Sequence, residues 1–486
     1  MMNKMRRVYE LAESPIFAAV LIALIFIGHI YWAGDFGLTW DIPHQIKIGE
    51  MELGIDRHYT FNSYPYGIMT DLVPVVLASA LPSKLLPYSY SYFGILAAFI
   101  GSIFFYLLLT RYTNNLIAFS ATLLLLFIPR FIGHMHANIK DLGSASFFMA
   151  SMYFLFRYIE AYRWRYAVWA IIFFIFSVNI KLTIYQMFPV FLVAIALSFL
   201  IKNKGSRISQ KDIFSSMAFL FLLGTIPIVI WIILWPHQLF SLFSSLENLG
   251  VLINAYSNTD SWYAMRQFLG TTPLILIATT MWGIMISVYD YQKHKRWFGI
   301  FFSFFFVYTI FKYPLFRLPI IDDIRYFVDI YFAISFLSVF GLYFVFKKYA
   351  LIPILLIIAF CIRQSYVIHP YEITYMNILS DNRDVDFWAS SYKEVFEYIN
   401  ATAPKNSTVS ARLAPELSYF LIRDDLKKNL NSQNLENSDF VVILNRPSYF
   451  RLFRVEDFYD RKTPIKIIRA KNGEELSFIY NLRKKK

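Results

Sequence analysis

The chain has 486 residues, of which 57% are hydrophobic and only 16% charged, more apolar surface than a single soluble core can hide, which excludes an ordinary soluble globular protein. Its net charge of +13 would suit a nucleic-acid binder, but the Lys and Arg residues fall in short clusters between apolar runs and not in one stripe, so no nucleic-acid partner is expected. The single cysteine, Cys361, excludes an intramolecular disulfide.

Lys4, Arg6 and Arg7 precede an apolar stretch from Ile16 to Trp32. It is too long for a cleaved signal and further spans follow, so it reads as a retained first helix. A membrane helix needs roughly 20 apolar residues, and about eleven such segments recur before residue 369: 15–33, 89–110, 115–130, 143–161, 166–180, 182–201, 213–235, 271–290, 297–312, 326–346 and 349–368. With that number, the cationic loops all fall on one side. They are Arg111, Arg163 with Arg165, Lys202 with Lys204 and Arg207, Lys293 with Lys295 and Arg296, and Lys347 with Lys348. The excess of cations in short loops assigns that side, and the N-terminus, to the cytoplasm. Residues 70–87 are apolar but broken by Pro74, Pro82 and Pro87, which predicts an interfacial or re-entrant segment and not a full span.

From His369 onward the apolar character stops. A helical pattern lies near Tyr392–Asn400, and β-like runs lie at 440–444, 465–468 and 476–480, the last two joined by an Asn472-Gly473 turn. The fold class expected is therefore a polytopic α-helical membrane protein with a small C-terminal soluble α/β domain. Residues 1–368 form the transmembrane module, with outer loops at 34–70 and 130–142 and the interfacial segment 70–87 between them. Residues 369–486 form the extracytoplasmic domain.

The residues that could carry chemistry gather on the outer side. Loop 34–70 holds Asp41, which alone would read as a solvated carboxylate or a helix N-cap ahead of Pro43. Loop 130–142 packs Arg130, His134, His136, Asn138, Lys140 and Asp141 into a few residues between hydrophobic helices, a polar density that is unusual at a membrane face. Capping of the next helix by Asp141, or snorkelling of Arg130, explains one residue each and not six. Two imidazoles two apart, without a matched third ligand, are a weak metal signal, so a divalent metal stays open. Lys181, His237, Asp322, Asp323 and Arg325 sit at span boundaries of the same face. Together they outline an outward-facing polar cavity in a low-dielectric surround, suited to an anion.

The outer-loop Asp41, the run Pro129-Arg130…Gly133-His134…Asn138-Ile139-Lys140-Asp141, and the later Trp235-Pro236 resemble the GT-C superfamily of membrane glycosyltransferases. Closest are bacterial relatives of protein O-mannosyltransferases and the lipid A aminoarabinose transferase. Ser261-Trp262-Tyr263 with Gly270-Thr271-Thr272-Pro273, and His369-Pro370-Tyr371 with Asn377 and Phe387-Trp388, extend the likeness. The first loop departs from the mannosyltransferase branch, where an Asp-Glu pair is common, because Ile42 follows Asp41; Asp35 is the fallback acid. The resemblance implies a transfer of sugar, with inversion, from a polyprenyl-phosphate donor to a lipid, glycan or protein acceptor at the extracytoplasmic face of the cell membrane. It implies that Asp41 is the base or orienting acid for the acceptor, and that Asp141 positions donor or acceptor. Lys181, Arg325, Arg130 or Lys140 would hold the lipid phosphate, with His134, His136, Asn138 and His237 lining the cavity. The alternative is a transporter or lipid flippase, whose ionisable residues would lie near mid-membrane in paired inverted halves.

Overall fold

A computed structural model describes residues 13–55, 68–79, 88–202, 209–234, 262–316, 324–380, 384–430 and 435–483. All eleven apolar segments are built around helices. Among the described residues eight of them are long and apolar enough to cross a membrane, or nine if a bent pair counts as one span. The protein is a multi-pass membrane protein. The first helix, α1, runs Pro15–Trp32, capped by the Ser14 hydroxyl, which accepts from the Phe17 amide at 3.3 Å. The loop that follows carries a helix, α2, at Ile42–Glu52, with Asp41 at its N-cap position and Pro43 in its first turn. The next, α3, at Ile68–Ser79, has 12 residues with Pro74 inside and is about 18 Å long, too short to span. This is the described part of the segment expected to be interfacial.

Three helices then build the frame of the site. Helix α4 spans Ser89–Tyr112, α5 spans Asn115–Phe127, and α6, at Pro129–Ala137, is bent from α5 by 63°. The bend falls at Ile128, which precedes a proline and takes an extended backbone. Helices α7 (Ile139–Ala161) and α8 (Trp164–Ile180) form a tight antiparallel pair, joined at Tyr162 in the left-handed region. Their apolar length falls short of an ordinary span. Helix α8 has only 17 residues, while α7 carries polar residues along a face that other helices cover.

Beyond a 3-10 turn at Leu182–Met187, the chain continues through α9 (Phe188–Lys202), α10 (Gln210–Leu234), α11 (Tyr263–Thr271), α12 (Leu274–His294), α13 (Phe298–Phe316), α14 (Ile330–Phe346) and α15 (Leu351–Ile368). Phe105 meets Phe302 and Phe332 edge-on, and Phe302 lies tilted against Phe336, among α4, α13 and α14, which shows where much of the aromatic surplus goes.

The C-terminal part holds α16 (Tyr392–Thr402) and a four-stranded sheet of β1 (Val409–Ala411), β2 (Phe440–Leu444), β3 (Lys466–Arg469) and β4 (Glu475–Asn481), in the order β1-β2-β4-β3. Strand β1, too short to read from sequence, pairs parallel with β2; β3 and β4 are the anticipated hairpin, with Gly473 at φ 92° in its turn. The core of this part continues into one end of the helical bundle: Leu38, Ile42, Tyr90 and Ile139 belong to the same apolar cluster as Phe396, Val442 and Phe478.

Candidate active site

The site is built on the first turn of α7. Asn138 caps that helix, its Oδ1 accepting from the Asp141 amide at 3.3 Å. The Asp141 side chain is thereby freed from the capping role open to it in the sequence. Lys140 and Asp141 project about 100° apart, as neighbours on a helix do, and each makes an ion pair with a different part of the molecule.

Lys140 Nζ donates to Asp41 Oδ2 at 2.8 Å. Asp41 occupies the N-cap of α2, yet its carboxylate makes no capping bond. The loop before it is fastened on two sides. Trp40 N donates to the Trp388 carbonyl at 2.9 Å, and Thr39 Oγ1 donates to the Ala137 carbonyl at 3.1 Å. A Cβ at Gly37 would run into the Ser390 carbonyl, so this approach to the soluble part needs glycine. Burial works against ionisation of Asp41, but Lys140 and Arg325 outweigh it and hold the carboxyl down to about 2. About a third of its side chain stays open to solvent.

Asp141 pairs with Lys181, and both are buried. The register of α7 against α8 explains why they meet. Ser144 and Ser177 each donate to the other's carbonyl, at 3.0 and 2.7 Å, and Ser151 Oγ donates to the Ala170 carbonyl at 2.8 Å. Asp141 lies one turn before Ser144 and Lys181 one turn after Ser177, so the antiparallel pairing sets them face to face. A 101st-position side chain larger than glycine would meet Ser146, and Gly101 thus lets α4 close on the same pair.

Asp141 and Lys181 line a small chamber of about 30 Å³ with Lys312, Arg325, Tyr326 and Asp329. Arg325 lies over the Tyr326 and Trp388 rings at 4.9 and 5.5 Å. Its charge acts on both Asp41 and Asp141, which places it between the two pairs. Lys312 was not anticipated. It sits in an aromatic run of α13, is 2% exposed, and its ammonium touches the Met187 thioether at 3.1 Å and the Tyr313 ring at 5.1 Å. No oxygen partner lies in reach among the described residues, and one Asp329 carboxyl oxygen is likewise buried without a hydrogen bond. A lone lysine within an apolar span was the available signal.

Other expected site residues do not enter the chamber through their polar ends. Arg130 is fully buried and donates to the carbonyls of Tyr375, at 2.8 Å, and Ile373, strapping α6 to the chain beyond α15. That bonding ties two of its guanidinium nitrogens to the scaffold. His136 pairs with His29 at 3.2 Å and stacks on Phe36 with centroids 3.6 Å apart, so it too is built into the scaffold. His134 Nδ1 lies 3.1 Å from Asn138 Nδ2, behind the helix start. Asp35, the fallback acid, is exposed and faces His369 at 3.5 Å. His237, Asp322, Asp323 and Trp235-Pro236 lie outside the described residues. Among the described residues no group of three His, Cys, Asp or Glu side chains is arranged to hold a metal ion.

Residues 88–231 match the family model of dolichyl-phosphate-mannose-protein mannosyltransferases. ArnT from Cupriavidus metallidurans, crystallised with undecaprenyl phosphate, superposes with a TM-score of 0.54 at 12% identity, covering 96% of this chain and 98% of that one. The chain has the GT-C fold. The oligosaccharyltransferase of Archaeoglobus fulgidus, solved with zinc and sulfate, gives a TM-score of 0.48 at 12% identity, over 96% of this chain and 73% of its own. No curated protein is significantly similar in sequence. On this GT-C scaffold the family match takes in Lys140, Asp141 and Lys181 but not Asp41, Lys312 or Arg325. Half of the site is therefore contributed by chain outside the matched segment.

Proposed function

We propose that the protein is a membrane glycosyltransferase that moves a sugar from a polyprenyl-phosphate-linked donor to an acceptor hydroxyl or amine. The observation that carries this reading is the buried Lys312 ammonium, facing a chamber with Lys181 and Arg325 and lacking an oxygen partner of its own. A buried ammonium without a hydrogen-bonded oxygen is costly; Asp329 acts on Lys312 only through space, and a phosphate oxygen supplies the contact it lacks. Three cations and two carboxylates on the lining leave one positive charge, which balances the single negative charge of a phosphodiester. The prenyl tail remains in hydrocarbon while the phosphate enters between Lys181 and Lys312, drawing Lys181 away from Asp141.

In the transfer, the acceptor oxygen or nitrogen attacks the anomeric carbon and the bond from that carbon to the phosphate oxygen breaks. The acceptor's proton passes to the Asp41 carboxylate. Negative charge growing on the departing phosphate is met by Lys181, Lys312 and Arg325, which are already in place. Attack from the face opposite the phosphate inverts the anomeric centre. The transporter reading is disfavoured by placement, since Asp41, Lys140, Asp141 and Lys181 lie at helix ends on one face of the bundle.

We assign this face to the outside of the cell membrane, with the N-terminus cytoplasmic and residues 369–486 extracytoplasmic. The decisive experiment incubates purified protein in vesicles with radiolabelled polyprenyl-phosphate sugars and a panel of lipid, glycan and peptide acceptors. Transfer of label, lost in Asp41→Asn, is the expected result. Label carried across the vesicle membrane without transfer would instead establish a transporter. Cysteines introduced into residues 369–486 of a cell-expressed Cys361→Ser form should react with an impermeant reagent applied outside; reaction only after permeabilisation would reverse the orientation.

A further inference from the structure

Behind the Asp41–Lys140 pair lies a third carboxyl that the reaction above does not use. Asp71, on α3, is 1% exposed, and neither of its carboxyl oxygens has a hydrogen-bond partner among the described residues. The helices close on it without leaving room. A Cβ at Gly49 of α2 would collide with the Asp71 carbonyl, and Gln45, one turn earlier on the same face, has an amide nitrogen that is buried and unpartnered. Tyr90 of α4 brings a buried hydroxyl that is also without a partner among the described residues.

Lys140 is the strongest charge acting on Asp71; the Thr70 side chain comes next, and Glu52 and Asp41 of the α2 region act more weakly. Helix α8 also packs on α3, but its titratable side chains, Arg165 and Tyr166, lie in its first turn at the other end. Lys140 thus acts on two carboxyls. It is bonded to one, and the other is buried without an ion pair of its own, with the Thr70 side chain beside it. Burial, only partly offset by Lys140, pushes the Asp71 carboxyl up to about 8, so it is protonated at neutral pH.

A carboxylate clamped by a lysine is a poor proton acceptor, because catalysis by a base gains from a pKa near the working pH. Asp41 needs to lose part of the Lys140 contact before it can take the acceptor's proton. We infer that Asp71 is a positioning residue that competes with Asp41 for Lys140: when the Asp71 carboxyl ionises, the ammonium turns inward and Asp41 is released to act as base. The proton from Asp71 leaves for the outer solvent, Lys140 keeps its charge throughout, and only the ion pair changes partner. The last step rests on the glycosyltransfer reading; the exchange of partners does not.

The test uses full-length protein in vesicles and two readouts. The first is the turnover profile from about pH 6 to about pH 10, where the wild type should rise through the Asp71 titration. Asp71→Asn matches the neutral carboxyl in size but cannot ionise. Its profile should be flat across that range and about tenfold below wild type at the alkaline end, while Asp71→Glu should restore the rise. An Asp71→Asn enzyme with the wild-type profile, or with normal alkaline turnover, would overturn the inference, since a merely structural acid tolerates asparagine. The second readout is the infrared band of a protonated carboxyl, which needs no turnover. It should be present at neutral pH, vanish in Asp71→Asn, and titrate at higher pH in Lys140→Met, where the ionised form has lost its partner. Absence of the band at neutral pH, or titration unmoved in Lys140→Met, refutes the exchange even in an active enzyme. A band that behaves as expected in protein that transfers no sugar would leave the exchange standing and sink the glycosyltransfer reading.

Discussion

Two ion pairs leave adjacent residues of α7, and their surroundings divide the work between them. The Asp141–Lys181 pair is sealed, with both side chains at most 10% exposed, whereas in the Asp41–Lys140 pair the acid is 32% exposed while the lysine is 6% exposed. A sealed pair cannot exchange protons with an arriving acceptor but can be opened by an anion that replaces the carboxylate. A pair at the mouth can meet the acceptor directly. The contrast teaches that proximity along the sequence says little about role; the dielectric on each side of the helix decides it.

The strongest way to break this comparison is Asp41→Asn. The change removes a base from the mouth and leaves the sealed pair intact, so turnover should fall by about 10²- to 10⁴-fold, while loss of the Lys140 ion pair lowers the melting temperature without preventing folding. Near-normal turnover would strip Asp41 of its role and turn attention to Asp35. Next in size is Lys181→Met, which strands Asp141 in a closed chamber and should lower stability by about 3–5 kcal/mol. The double variant Asp141→Asn with Lys181→Met should recover most of that stability in denaturant titrations while still binding polyprenyl phosphate weakly. If Lys140→Met destabilises as much as Lys181→Met, the distinction between sealed and open pairs fails.

Lys312→Met should weaken polyprenyl-phosphate binding by about 10- to 100-fold, the range expected for one hydrogen bond to a charged group, with acceptor KM unchanged. Titration of the lipid by isothermal calorimetry reads this directly, and equal affinity would remove Lys312 from the phosphate site. The smallest effect concerns pH. Asp41 is a carboxyl whose folded value lies below its ordinary one, so its ionised form, and the stability that comes with it, is complete above about pH 4 and is lost only as pH falls towards about 2. Lys140→Met removes the main charge holding it down, and the acid limb of the rate profile should move to higher pH by about one unit or more. A limb that stays in place would mean another group controls it.

The membrane helices were legible because an 18-residue apolar run has few other readings. The site was legible in part for a similar reason: Asp41, Lys140, Asp141 and Lys181 are charges where charge is expensive. What could not be read was direction. Arg130 looks like a phosphate ligand along the sequence, but its partners are carbonyls more than 240 residues away. His136 finds His29 and Phe36 in the same manner. Lys312 went unremarked within Phe298–Phe316, where the aromatic pattern fixes the helix but not the azimuth of its single cation. The sequence offered Asp141 as the cap of this helix, and only the backbone geometry at the start of α7 gives that place to Asn138. The short strand β1 was invisible because three residues carry too little periodicity.

The serine ladder between α7 and α8 gives the site a mechanical property. With Ser144, Ser151 and Ser177 locking the register, the first turn of α7 behaves as a two-tined fork on a fixed shaft. Sliding or rolling α7 to loosen one tine tightens or displaces the other, so the two pairs cannot be tuned separately by moving the helix. Inserting one residue between Asp141 and Ser144 would twist the tines by about 100° relative to the ladder and misdirect both at once, without altering a single charge in the chamber.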